Sequence, residues 1–317
     1  MRVLIISSGN NKGVLGVSSF VYEQYKSLQK QGVYVELFPI KAKGIRGYLK
    51  TIRELRKYLR KNKVDILHGH YLTSTLVSLF QFKIPIVSSF IGCDINLAFN
   101  RFLAKIFVFK RTSATIFVSE QLHNLSGYKG KKNVIPYGID VSTFNSIAKN
   151  EARNKLKWSE NEHYVLFASR FDRLEKNAQL AKEAIQILNN KGLNCKLVEF
   201  KDISIEDIRL YYNASDLFLL TSIREGSPQT IKEAMACNCP IVSTDVGDVR
   251  WVIGDTKGCY ISSFEPEDVA AKIEQALEFS KTKGRTNGRE RIISLGLDAD
   301  TTAQKIIEVY RKVLKSK

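Results

Sequence analysis

Asp216-Leu-Phe-Leu-Leu-Thr-Ser-Ile-Arg-Glu-Gly-Ser-Pro-Gln-Thr-Ile-Lys-Glu233 is the stretch on which the reading of this chain turns. Asp216–Thr221 is an apolar run of strand length and reads as a buried strand. Pro228–Cys237 then reads as a helix. Pro228 falls at the first helical position, where proline is tolerated, and Ser227 is the expected N-cap. Glu225 and Gly226 lie in the loop between strand and helix, and Glu233 stands one to two turns along the helix. The free N–H groups and positive dipole end of such a helix make a natural anion site, and Gly226 allows close backbone approach. Taken singly, each feature has a plain structural explanation: Glu225 favours a helix dipole, Glu233 can be an exposed helical residue, and Ser-Pro is common at a helix start. Together, straight after a buried strand, they point to a binding site.

The same alternation extends in both directions. Upstream, Arg2–Ser7, Val33–Phe38, Val64–His68, Pro85–Phe90, Ala114–Val118 and Asn133–Ile135 read as strands. Ser18–Gln31, Ile45–Asn62, Ser74–Phe82 and Leu97–Arg111 read as helices between them. In the second of these, Ile45, Tyr48, Leu49, Ile52, Leu55 and Leu59 draw one apolar stripe. The pattern restarts with strands His163–Ala168 and Cys195–Phe200, then Pro240–Thr244 beyond the quoted stretch, and helices Asn177–Asn190, Asp207–Asn213 and Pro266–Ser280. Alternating strands and helices predict parallel sheets covered on both faces. The polar stretch Asn145–Asn161 separates the two sets. The expected architecture is therefore α/β, with two Rossmann-like, doubly wound domains, 1–150 and 151–317, facing a cleft. The last helix, Thr301–Lys315, is free to pack back on the first domain. In such sheets ligands sit at the carboxyl ends of the strands.

With 317 residues and 44% apolar content, the chain can build two cores. No apolar run approaches the roughly 20 residues of a membrane span. Met1–Gly9 is basic and then apolar, but it runs into a Gly/Asn-rich loop. It reads as a first strand, and a cytosolic protein is expected. Cys93, Cys195, Cys237, Cys239 and Cys259 are scattered and lack zinc spacing, so reduced, mostly buried thiols are expected.

The net charge of +17 is unevenly placed. The first 150 residues hold 23 Lys+Arg against 7 Asp+Glu, and the rest are nearly balanced. Between 41 and 63, ten cations, from Lys41 to Lys63, face Glu54 as the only acid. A solvated face is the plain explanation, yet the excess is larger than solubility requires and favours an anionic partner. Arg101–Arg111, apolar but bracketed by cations, reads either as a buried helix with a polar edge or as a lipid-facing one.

Glu225 and Glu233, with seven residues between them, resemble the paired-glutamate motif of glycosyltransferase family 4, retaining enzymes of the GT-B fold. Ala234-Met-Ala-Cys237 and Pro240–Gly247 are similar to the family's following segment. Phe167–Asn177 resembles its Gly-Arg…Lys loop, Val134–Asp140 its inter-domain turn, and Gly13 and Gly16 its glycine-bearing first loop. Asp65–His70 and Ser89–Asp94 are similar to segments of its acceptor domain. The resemblance implies that Glu225 contacts donor sugar hydroxyls and Glu233 the nucleotide ribose. Arg170 and Lys176 would grip the diphosphate, Gly16, Gly226, Ser227 and Pro228 would line the donor site, and His70 and Asp94 are acceptor-side candidates. Fixed cations beside a leaving diphosphate stabilise its growing charge. Departures from the family pattern are Ile91 for a His, whose role is lost or moved to His68 or His70; Ser169 for Gly; Tyr137 for Asn; and Arg250-Trp251 for Pro-Glu. A glycine-rich strand-loop expected near Val198 is absent.

The expected activity is retaining transfer of a sugar from a UDP- or GDP-sugar, without cofactor or metal, to a sugar or lipid-linked acceptor in surface-glycan assembly. The basic first domain is expected to dock on the anionic inner face of the cell membrane, leaving the protein cytoplasmic and peripheral. A GT-B sugar-nucleotide epimerase is the second enzyme reading. A basic nucleic-acid-binding protein is the reading from another class, though no nucleic-acid motif supports it. A dehydrogenase fits less well, because the first loop lacks Gly-x-Gly-x-x-Gly.

Overall fold

The computed structural model describes residues 1–8, 13–41, 44–167, 169–200, 203 and 205–316, and leaves the side chains of Ile45, Cys93, Ile205 and Glu206 undescribed. The Gly/Asn-rich loop at 9–12, the stripe residue Ile45 and the Cys93 thiol thus lie outside the described residues.

The chain forms two compact units: residues 1–138 with 299–317, and residues 139–298. The first contains strands β1 (Arg2–Ser8), β2 (Tyr34–Ile40), β3 (Ile66–His70), β4 (Ile86–Phe90) and β5 (Ala114–Phe117). Its helices are α1 (Ser19–Lys30), α2 (Gly44–Lys61), α3 (Leu72–Ser78), α4 (Cys93–Asn96), α5 (Ala98–Leu103) and α6 (Glu120–Ser126). The second unit contains α7 (Lys149–Leu156), β6 (His163–Phe167), α8 (Ala178–Asn190), β7 (Cys195–Glu199), α9 (Ile205–Ala214) and β8 (Leu217–Leu220). It continues with α10 (Gln229–Ala236), β9 (Ile241–Thr244), α11 (Val249–Ile253), β10 (Cys259–Ser262), α12 (Pro266–Thr282) and α13 (Gly288–Ser294). The last helix, α14 (Ala299–Lys315), belongs to the first unit.

Each unit holds one five-stranded sheet, ordered β2-β1-β3-β4-β5 and β10-β9-β8-β6-β7, and every pairing is parallel. The two orders are the same when each sheet is counted from its own first strand. In both, the direction of winding reverses between that first strand and the third, which opens a crevice at their carboxyl ends. The loops after β1 and β3, and after β6 and β8, are thereby set at ligand-binding positions. Strands buried on both faces must be apolar throughout, as Val3–Ile6 and Leu217–Leu220 are.

The break falls earlier than the expected 150, and the reason is packing. Ile139 and Phe144 belong to the core of the second unit. The polar stretch expected as a linker carries α7, and Arg153 there is buried against Asp216, with Nη2–Oδ2 at 2.8 Å. A charged side chain within the polar stretch is thus half of a buried ion pair. In the first unit, α14 contributes Ile306, Val309 and Tyr310 to the core that holds Val21 and Leu28 of α1.

Other departures follow from element length. Asn133–Ile135 makes only an isolated bridge, Phe117 to Val134. The strand β10 and helices α4, α6, α11 and α13 have four to seven residues and give no resolvable period. The expected helix Ser74–Phe82 ends at Ser78, and Leu49, expected inside, is 53% exposed. Cys195, Cys237, Cys239 and Cys259 are free, and all but the half-buried Cys259 are buried.

Candidate active site

The second unit gathers the paired-glutamate motif at its winding reversal. Thr221, just beyond β8, donates its hydroxyl to the carbonyls of Lys176 and Asn177 at 3.0 and 2.9 Å, and Ile223 N donates to Glu175 O at 3.0 Å. The loops after β6 and β8 are thus laced together, and Lys176 Nζ comes to 2.5 Å from Glu225 Oε1. Ser222 also donates to that oxygen, at 2.8 Å. The two charged side chains are only 11% and 16% exposed, which favours a persistent pair over a solvated one. Arg170 turns instead to Asp172, at 2.5 Å, where both are well exposed. Ser169, in the usual glycine's place, is buried and its carbonyl accepts from Phe200 N at 3.3 Å.

Ser227 does not cap the helix. Pro228 occupies the N-cap position without a side-chain cap bond, and Ser227 Oγ donates to Asp248 Oδ2 at 2.6 Å. The hydroxyl is drawn away because the loop after β9 runs directly against the Glu225–Ser227 loop. Gly247, at φ +60, would place a Cβ 2.8 Å from the carbonyl oxygen of Gly226. Gly247→Ala is therefore expected to destabilise the second unit by about 2 kcal/mol or more and to lower donor-nucleotide affinity; an unchanged urea midpoint would remove the packing argument. Glu233 is held from below by the buried Tyr212, whose hydroxyl donates to Oε2 at 2.8 Å. Burial drives the Tyr212 phenol well above its ordinary pKa, so it keeps its proton and remains a donor.

Beneath the motif sits Lys232, fully buried, donating to Gln229 Oε1 at 2.9 Å. Burial lowers its pKa to about 8, against the opposing pull of Asp248 and Glu233. Asp248 Oδ1 and Thr230 Oγ1 are buried without hydrogen-bond partners among the described residues. Lys232, Asp248, Gly247, Ser222 and Tyr212 were not singled out from sequence. Their roles depend on which loops meet, and nothing in local residue pattern carries that.

The first unit gathers a separate polar cluster at the end of β3. His68 and His70 point to the same side of the strand, their ring centres 4.2 Å apart. His68 is saturated: Nδ1 lies 2.6 Å from the Tyr310 hydroxyl and Nε2 2.7 Å from Ser89 Oγ. His70 Nδ1 lies 2.6 Å from the Tyr137 hydroxyl, while its buried Nε2 has no partner among the described residues. Burial lowers the His68 pKa to about 3 and that of His70 well below the usual value, so both are neutral near pH 7. Tyr137, where the family has Asn, is thus the partner that orients His70. Asp94 Oδ1 accepts from Ile91 N and Gly92 N at 3.0 and 2.8 Å, Oδ2 has no hydrogen-bond partner among the described residues, and burial raises the pKa to about 6. Tyr71, following His70, has φ 72, a strained value for a side-chain-bearing residue. Ile91 packs against the apolar core beside β4.

Gly16 lies in the first unit, after β1, with φ +79. Arg250 pairs with Asp245 at 2.7 Å, and Trp251 is 48% exposed. Among the described residues, no group of three or more His, Cys, Asp or Glu side chains is placed to hold a metal ion. No described helix is long and apolar enough to cross a membrane.

A family model described as "Glycosyltransferase Family 4" matches residues 14–143, and one described as "Glycosyl transferases group 1" matches residues 181–278. The teichuronic acid biosynthesis glycosyltransferase TuaC of Bacillus subtilis is 28% identical over 237 residues, 65% of this chain and 58% of the relative. The N,N'-diacetylbacillosaminyl-diphospho-undecaprenol alpha-1,3-N-acetylgalactosaminyltransferase of Campylobacter jejuni is 28% identical over 125 residues, 39% of this chain and 33% of that protein. The chain therefore spans less than two thirds of the length of either relative. Among solved structures, sucrose-phosphate synthase from Thermosynechococcus elongatus superposes with TM-score 0.82 at 17% identity, covering 100% of this chain and 99% of that one. Anabaena Alr3699/HepE, in complex with UDP and glucose, superposes with TM-score 0.74 at 17% identity, covering 98% and 100%. The two parallel five-stranded sheets with their helices are the GT-B architecture of these neighbours. Matched in both halves, with the paired glutamates set at the winding reversal of its second sheet, the chain belongs to the group 1, family 4 glycosyltransferases.

Proposed function

We propose that this protein transfers a sugar, with retention of anomeric configuration, from a nucleotide-sugar to a lipid-linked sugar acceptor. The observation that carries the reading is the half-buried Lys176–Glu225 pair at the winding reversal of the second sheet, with Glu233 eight residues further along. Lys176 neutralises the donor diphosphate, and Arg170, paired with Asp172 in this structure, turns to it when donor binds; Glu225 holds the sugar hydroxyls, Glu233 the ribose. Gly226, Ser227 and Pro228 are backbone and packing elements of the donor site. On the acceptor side, Tyr137 orients neutral His70, whose Nε2 is left to hydrogen-bond the incoming hydroxyl, and Asp94 Oδ2 is the second open group.

In the transfer, the acceptor oxygen bonds to the anomeric carbon as the bond from that carbon to the phosphate oxygen breaks. The hydroxyl proton passes to the departing phosphate on the same face. Fixed cations at the diphosphate do the work of charge neutralisation, so the reaction needs no divalent metal and no cofactor. HepE, described in complex with UDP, supports a UDP-sugar donor. The Campylobacter relative, named for a diphospho-undecaprenol acceptor, supports a lipid-linked one, and the B. subtilis relative supports surface-polysaccharide assembly.

The test begins with thermal shift against UDP-, GDP- and ADP-sugars, followed by proton NMR of the product formed by the best donor. A retained anomeric configuration and full activity in EDTA are expected. Inversion, abolition by EDTA, or donor turnover to an epimer without acceptor would each overturn the proposal.

A further inference from the structure

In α5 and the widened π turn that continues it, Ala104–Val108, the helix inverts the usual arrangement of residue sizes. Ala104 and Val108 face the core at 0% exposure, whereas Leu97, Phe99, Phe102, Ile106 and Phe107 are 52, 70, 58, 47 and 43% exposed. One exposed Leu or Phe needs no explanation. Five within eleven residues, with Phe99, Phe102 and Ile106 at the three- and four-residue spacing of one helix face, form an outward apolar ridge. A second apolar projection adjoins it. Phe80 and Phe82, in the turn after α3, are 48% and 81% exposed.

Two arginines fix that turn. Arg111, just beyond the ridge, donates to Leu79 O at 3.0 Å and lies over the Phe82 ring, 5.8 Å from its centre. From the other side, Arg56 of α2 donates to Phe80 O at 2.8 Å. The turn thus joins the aromatic ridge to the most basic helix in the chain, whose Arg53, Arg60 and Lys61 are exposed. Lys105 and Lys110 are exposed within and beside the ridge itself. Exposed rings and cations are thus linked from ridge to turn to basic helix through Arg111 and Arg56.

We infer that this face docks on an anionic lipid bilayer, with the rings of Phe82, Phe99 and Phe102 and the Ile106 side chain entering the headgroup boundary and the cations meeting lipid phosphates. Protein–protein interfaces exclude lysine from their centres, whereas an interfacial helix sets aromatic residues on one side and Lys/Arg along its flanks. The charge excess alone gives an attachment that salt removes. The ridge supplies an apolar part that salt leaves in place. The inference rests on this surface alone and is independent of the donor chemistry at Glu225.

Flotation of the full chain with phosphatidylcholine vesicles, with and without phosphatidylglycerol, at low and high salt, tests it. Binding to anionic vesicles is expected at low salt, with a reduced fraction persisting at high salt. The triple variant Phe99→Ser, Phe102→Ser, Ile106→Ser is expected to lose about tenfold or more in vesicle affinity. Reversing the charges of Arg53, Arg56, Arg60 and Lys61 is expected to abolish the salt-sensitive part. Phe102→Trp, which keeps an aromatic ring and does not depend on the triple variant folding, is expected to shift its emission to the blue on vesicles and to be quenched by brominated acyl chains. A chain that stays in solution with anionic vesicles at low salt overturns the inference. So does unchanged flotation of the folded triple variant, or an indole emission in the Phe102→Trp variant that vesicles leave unaltered. Self-association that the triple variant abolishes, without vesicle binding, assigns the face to a second copy of the chain instead. Donor-nucleotide binding, read by thermal shift on the same samples, is expected to be unaffected, which separates this result from the sugar-transfer reading.

Discussion

Glu225→Gln is expected to reduce turnover by about 100-fold while leaving nucleotide affinity within about threefold, and Glu233→Ala to do the reverse. The two carboxylates share a motif but occupy different surroundings. Glu225 is paired with Lys176 and receives the Ser222 hydroxyl, so its charge and position are set by the two loops at the winding reversal. The glutamine keeps the shape and one acceptor oxygen and removes the charge. In the proposed reading, what it loses is the electrostatic grip on a sugar hydroxyl as positive charge develops at the anomeric centre, an interaction strongest in the transition state. Glu233 lies further along α10, held by Tyr212, and in the proposed reading it binds the ribose rather than the reacting sugar. Its loss removes binding that ground and transition states share, which raises KM more than it lowers kcat. Steady-state kinetics with the donor found by thermal shift, beside titration with the nucleoside diphosphate, separates the two. Full activity in either purified, folded variant would remove the assignment.

Acidification from pH 7 to pH 4 is expected to unfold the first unit. His68 is buried and neutral in the folded chain, with its pKa depressed from 6.5 to about 3. A depressed histidine contributes stability that is fully present above the unfolded pKa. That stability is lost as pH falls below 6.5 towards the folded value, because the unfolded chain takes up the proton first. At 1.36 kcal/mol per pH unit, the full difference is about 5 kcal/mol for His68 alone, and His70 shifts in the same direction. Asp94 acts with the opposite sign. Its pKa is raised from 3.8 to about 6, so its contribution is present at low pH and is lost as pH rises through 6; the full difference is about 3 kcal/mol. Asp94→Asn keeps an oxygen for the Ile91 and Gly92 amides and removes the buried charge. It should raise the urea midpoint at pH 8 and leave it nearly unchanged at pH 4. A parent midpoint that is flat between pH 7 and pH 4, or an Asn variant weakened equally at both pH values, would contradict this account of the cluster.

How far the sequence reached depended on whether the signal was local. Asp216–Thr221 followed by Pro228–Cys237 is a strand and a helix in the chain's own periodicity, and the alternation around it requires parallel sheets, because short apolar runs joined by amphipathic helices can bury themselves in few other ways. The paired glutamates were legible for the same reason: their spacing along one loop and helix is a property of consecutive residues. The second set of findings has no such signature. Arg153 lies in the polar stretch Asn145–Asn161, and nothing local marks it as buried; Asp216, far away in the chain, is what pairs with it. His68 and His70 read alike; among the described residues, Tyr310 and Ser89 on one, against Tyr137 on the other, make the first structural and leave the second open. The inward or outward sense of Phe99, Phe102 and Ile106 could not be taken from a helix that is apolar nearly all round; it was decided by the two small or branched residues, Ala104 and Val108, that the core accepts. The sequence by itself determined the elements, their alternation and the motif carried on one loop. Tertiary structure alone decided which polar groups are buried, which are paired and which apolar side chains are left facing out, because burial and pairing are set by contacts between segments distant in the chain, and free energy is assigned to a side chain by its neighbours in space.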